Sequence, residues 1–152
     1  MAITTEMCNS FKTELLKGEH NLETDTLRIA LIKESPIGSY GKGTTNYSDL
    51  GADELPDATG NYTRDTASNN LDMSGVNVSL VNDTAIVDFP DHVFSNLTVS
   101  ADGALIYNAS VSNKAIAVFT FGTTVTSTAG DFTIVFPGGS APDDTNAVVR
   151  IS

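Results

Sequence analysis

The chain has no tryptophan, one cysteine, two histidines, and eight basic residues against nineteen acidic ones. Each shortage closes a class of explanation. Without a second cysteine, Cys8 makes no internal disulfide, so the fold must hold by its core, which a single domain of 152 residues can bury. The missing tryptophan removes the usual stacking platform of a sugar site. A formal charge of −11, spread along the chain rather than gathered in a tail, leaves no Lys/Arg footprint for nucleic acid. No run approaches the ~20 apolar residues of a membrane helix. The amino-terminal MAITTEMCNSFK lacks the basic and apolar regions of a signal peptide, so synthesis in the cytoplasm is expected.

Reactive constellations are equally sparse. His20 and His92 both lie in polar stretches and read as solvated loop residues, which disfavours a Ser-His-Asp site. Asp53, Glu54 and Asp57 form one acidic group and Asp143-Asp144 another, but neither has the spaced pattern of a calcium loop; both read as solvated acidic loops and no metal is expected. Six Asn-x-Ser/Thr triplets read as a by-product of a composition rich in turn and strand residues. Gly-rich phosphate cradles are absent, and no cofactor is expected. Cys8 reads as a small packing residue in a helix.

What is present is β-sheet patterning. Residues 101–122, ADGALIYNASVSNKAIAVFTFG, form the densest apolar stretch and predict a buried hairpin, with arms at 104–107 and 115–119 around an Asn/Ser turn. One helix is predicted over 5–17, where Met7, Cys8, Phe11, Leu15 and Leu16 recur at helical spacing, with Thr4 or Thr5 as N-cap and Gly18 as C-cap. Leu27, Ile29 and Leu31 alternate with Arg28, Ala30 and Ile32 in a strand over 27–33. Residues 34–75 are a long loop of Gly, Ser, Thr, Asn and Asp, with an edge strand expected at 61–66 and Tyr40, Tyr47 and Tyr62 as anchors. A second hairpin follows (76–80 and 85–89, turning at Asn82-Asp83), then a strand at 93–100. After the central hairpin come strands at 123–128, 132–136 and 147–151, with a turn at 129–131. Eight or nine antiparallel strands and one helix predict a single all-β domain, a jelly-roll-like sandwich with its long loop between the first and second strands.

The order FKTELLKGEHNL, RIALIK, ATGNY, DTAIVDFPDHVFSNLTVSADGALIYN, AIAVFTFG, FTIVFP and NAVVRIS resembles a family of small virion structural proteins of tailed bacteriophages. The most specific pieces are the block from Asp88-Phe89 to Gly103-Ala-Leu-Ile-Tyr-Asn108 and the closing run that ends in Arg150-Ile151. The resemblance implies a subunit without enzymatic activity, similar to capsid decoration or cement proteins. Such a subunit would be a homotrimer on the outer capsid surface, assembled in the host cytoplasm and clamping major capsid protein subunits. A tail-tip or fibre-associated component contacting the host surface is the alternative, and an enzyme or free lectin the third reading. Under the cement reading the expected partner contacts are Phe11, Leu15 and Leu16 of the helix and Tyr40, Tyr47 and Tyr62 of the loop. Tyr47→Ala is then expected to weaken attachment without changing thermal unfolding.

Overall fold

In the computed structural model, residues 2–56, 61–64, 71–136 and 147–152 are described. Their elements in chain order are β1 (Glu6–Met7), α1 (Asn9–Leu16), β2 (Leu27–Lys33), β3 (Asn77–Val81), β4 (Thr84–Asp88), β5 (His92–Asn108), β6 (Lys114–Ile134) and β7 (Val149–Ile151), with two short 3-10 turns at Tyr47–Asp49 and Gly51–Asp53. The strands form two antiparallel sheets, ordered β1-β6-β5-β2 and β3-β4-β7. The fold is therefore all-β apart from one helix, consistent with a sandwich.

The core lies where the sequence is most apolar. Leu27, Ile29, Leu31 and Ile32 of β2, Ala104 to Tyr107 of β5, and Ala115 to Val118 of β6 are all buried. β2 pairs with β5 from Leu27 opposite Asn108 to Ile32 opposite Gly103, and shifts register before Lys33. Its near-continuous apolar run fits a strand covered on both faces. Gly103 is fixed by crowding: a Cβ there would stand 2.3 Å from the Phe119 carbonyl oxygen and about 3.0 Å from the Ile3 side chain.

Four features differ from the sequence expectation. The helix starts at Asn9 rather than residue 5, because Glu6 and Met7 pair with Val118 and Ala117 at the sheet edge. Cys8, extended at φ −65° and ψ 137°, takes the cap position without a side-chain bond, while Gly18 at φ +73° closes the far end as expected. The strands expected at 93–100 and 104–107 are one strand, β5, and those at 115–119, 123–128 and 132–136 run together in β6, so the described residues hold seven strands. Bulges absorb the residues that signalled a turn. Asn96 (φ +52°) and Ala129 (φ +47°) lie on either side of the Leu97–Gly130 pair, tied by Asn96 N–H to Asp131 Oδ1 (3.3 Å) and Ala129 N–H to Thr98 Oγ1 (3.1 Å). A wider irregularity around Gly122 lies between the pairs Ala101–Val125 and Gly103–Thr120, pinned by Thr124 donating to Asp102 Oδ1 at 2.6 Å.

The described residues of the long loop, 34–56, 61–64 and 71–75, form a folded excursion that returns to the outer edge of β2. Leu55 N–H donates to Leu31 O (2.9 Å), Ile29 N–H to Leu71 O (3.0 Å) and Met73 N–H to Leu27 O (2.8 Å). Backbone groups that an edge strand would leave open are thus taken within the subunit. The edge strand expected at 61–66 is not formed by the described residues 61–64; Asp65 and Thr66 lie outside them.

Candidate functional site

The excursion gathers the three tyrosines singled out in the sequence onto two carboxylates that the sequence reading left in solvent. Asn46 places the first: its side chain accepts from Ser48 N–H at 3.0 Å, its amide donates to Ser112 O at 2.8 Å, and Asp49 Oδ2 accepts from Asn46 N–H at 3.2 Å. Tyr47, next in sequence, stacks on Tyr107 with ring centroids 4.6 Å apart, and its hydroxyl donates to Glu54 Oε2. Tyr62, fully buried, donates to Glu54 Oε1 at 2.8 Å and accepts the Leu31 N–H at 2.9 Å. Arg64 closes this half, donating to the carbonyls of Leu55 and Glu54 with its Nε 3.7 Å from Glu54 Oε2.

Asp53 organises the other half. Its Oδ2 accepts from Gly38 N–H and from the Tyr40 hydroxyl, each at 2.7 Å, and Lys33 Nζ lies 3.2 Å from Oδ1. Burial opposes ionisation of Asp53. The N–H groups of Gly38 and Ile37, the Tyr40 hydroxyl and the Lys33 ammonium outweigh it and hold the carboxyl well below the usual carboxylate range. Burial, reinforced by Asp53, raises the Tyr40 hydroxyl above the ordinary tyrosine value; burial and Glu54 do the same to Tyr62. The solvated-loop expectation is thereby corrected: Asp53 and Glu54 are 5 % and 3 % exposed, because hydroxyl and backbone donors replace their water. Asp57 and Asp143-Asp144 lie outside the described residues. Among the described residues no three His, Cys, Asp or Glu side chains are grouped as a metal site needs.

A second polar network joins α1, the connector after it and the central hairpin. His20 Nε2 is 2.8 Å from Glu14 Oε2, and Asn108 Nδ2 is 3.0 Å from His20 Nδ1 and 2.7 Å from Asp25 Oδ2. The Asn108 amide donates to Nδ1, so Nε2 carries the proton given to Glu14. Lys114 bonds Glu19 and lies 3.5 Å from Glu14 Oε1; this contact lowers the Glu19 carboxyl and raises the Lys114 ammonium. Neither histidine is solvated as expected. His20 packs edge-on to Phe11 at 5.0 Å and His92 to Phe94 at 4.6 Å, both buried. The sequence signal for His20 was its place between the helix and β2, where a connector must cross the core edge.

The six expected contact residues therefore separate. Phe11, Tyr40 and Tyr62 are buried within this chain, and Leu15 and Tyr47 are half-buried against the same core. Leu16 alone stands out in solvent, 89 % exposed. Other exposed apolar side chains among the described residues, which periodicity did not single out, are Ile37 on the excursion, Val78, Leu80 and Ile151 on the smaller sheet, and Val93 and Val135 on or beside the long β5–β6 ribbon. Compared with protein-family models, with curated proteins and with solved structures, the chain gives no match.

Proposed function

We propose that this chain is a virion structural protein of a tailed phage, a jelly-roll-like decoration or cement subunit. It binds the outer capsid shell as a homotrimer and clamps neighbouring major capsid subunits, without catalysing a reaction. The observation that carries the reading is the sequence resemblance of residues 83–108, which form β4 and β5, one strand from each sheet. The excursion supports it: the hydroxyls of Tyr40, Tyr47 and Tyr62 hold Asp53 and Glu54 in place, so these groups stiffen a surface instead of facing a substrate. Exposed Leu16, Val93 and Val135 supply apolar area for a neighbour. The clamping is additive, each small interface contributing little and the shell repeating it many times.

The test is to add the purified protein to phage shells assembled without it and to image them by electron microscopy. The proposal expects saturable density on the outside of the head, in three-fold copies, and shells that break at a higher temperature. Density on the tail, or no attachment at all, rejects it.

A further inference from the structure

We infer that the groove between the carboxyl end of α1 and the β3-β4-β7 sheet receives an apolar segment of another protein that carries Lys or Arg beside its anchor. This inference does not depend on the virion reading. The groove has a volume of 470 Å³, with Leu15 and Leu22 on one wall and Val78, Val87, Val149 and Ile151 on the other. That is about three times the ~150 Å³ of a cavity that takes one benzene ring. Register explains why it is apolar. Val78 pairs with Val87 and Val87 with Val149, Leu80 pairs with Ala85 and Ala85 with Ile151, so all of these side chains share one face of the sheet. At Val87 and Val149 that face is buried; at Leu80 and Ile151 it is 71 % and 56 % exposed. The inner face of the sheet thus extends beyond what the described residues cover, and Leu16 stands exposed one residue on from the lining Leu15.

Charge selects the occupant. Glu23 lines the groove, and the connector that carries it also holds Glu19 and Asp25, with Glu14 on the helix before it. The cations nearby are Lys17, Lys114, which already lies against Glu14 and Glu19, and Arg150, which alternates with the lining Val149 and Ile151 and so projects from the opposite face of β7. A nucleic acid or an anionic membrane would be repelled by this acidic wall. An apolar anchor flanked by basic side chains satisfies both the lining and the rim. Recognition is through side chains rather than by adding a strand beside Val78, whose N–H is already bonded to Glu23 Oε1 at 3.3 Å.

The experiment uses the full chain with labelled Ile, Leu and Val methyl groups, titrated in the NMR tube with a short amphipathic peptide of leucine and lysine, and separately with its leucine–glutamate counterpart. The expected result is saturable movement of the Leu15, Leu22, Val78, Val149 and Ile151 methyls with the basic peptide and none with the acidic one. Glu23→Gln, which keeps an oxygen for the Val78 N–H, should weaken binding about threefold, and Val78→Lys should abolish it; thermal melts confirm that both variants are folded. Equal binding of the acidic peptide overturns the inference, as do methyl shifts confined to other regions or undiminished binding by folded Val78→Lys. Groove methyls that move when the protein alone is diluted also overturn it, since a second copy would then be the occupant.

Discussion

Tyr62 and Glu54 meet inside the subunit, the tyrosine hydroxyl donating to Glu54 Oε1 at 2.8 Å while accepting the N–H of Leu31 at 2.9 Å. One oxygen thus joins the excursion to the β2 edge and satisfies two buried polar groups. Tyr62→Phe removes it and leaves both partners without that bond, for a loss of about 2 kcal/mol. Urea denaturation measures the loss, and amide exchange at Leu31 should accelerate more than exchange elsewhere in β2. An unchanged midpoint would mean that the hydroxyl is dispensable.

Acid should remove the stability that Asp53 contributes. An unfolded aspartate titrates near 3.8 and the folded one lies lower, so its contribution is complete above that value and drains away as pH falls through it towards the folded pKa. Asp53→Asn should lower stability at neutral pH and flatten the acid limb of a stability–pH curve taken from about pH 6 downwards. Parallel acid limbs for the two proteins would place the sensitivity elsewhere.

The alkaline side is set by groups shifted the other way. Burial, with Asp49 and Glu14 nearby, pushes the Cys8 thiol up to about 12, so the native protein holds a neutral thiol. Stability from this group is full below the unfolded value of 9.0 and is lost as pH climbs through the folded one. At pH 8 Cys8 should resist iodoacetamide in the native state and react only as fast as the protein opens. Mass spectrometry across a urea series distinguishes this from an accessible thiol, which would label at a urea-independent rate.

Gly103 is the position least able to accept a side chain. Because the nearest atom to an added Cβ is the Phe119 backbone oxygen at 2.3 Å, the β5–β6 pairing itself must move. Gly103→Ala should cost about 3 kcal/mol, read as a lowered melting temperature, whereas Gly43→Ala, with open space around it, serves as the control. Equal melting temperatures for the two would refute the crowding argument.

Local patterning located much of this fold. The strand over 27–33 is read correctly to the residue, and the hairpin turning at Asn82-Asp83 to within one. Both rest on alternation and turn chemistry, which are local. The continuity of β6 was not legible, because Gly122 and the run Ala129-Gly130-Asp131 read alike whether the chain reverses or only bulges; the partner strand decides. Asp53 and Glu54 were missed for a related reason. Their burial depends on tyrosines thirteen positions from Asp53 and up to eight from Glu54, and on backbone N–H groups that no sequence pattern announces. Tyr47 also changes meaning: with its ring on Tyr107 and its hydroxyl on Glu54, Tyr47→Ala should lower the unfolding temperature rather than leave it unchanged.

The pairing of β2 carries a consequence for synthesis. Leu27 to Lys33 find their sheet partner only at residues 101–108, and Glu6-Met7 only at 117–118, so the amino-terminal strands emerge from the ribosome long before the strands they pair with. Leu55, Leu71 and Met73 can cover one edge of LRIALIK first, but the edge that pairs with β5 stays open until 101–108 arrive, vulnerable to other nascent chains. The nascent chain must therefore stay soluble through some eighty residues of waiting, from Leu27 to its partner Asn108, and a chaperone that shields this one heptapeptide would protect the slowest part of its maturation.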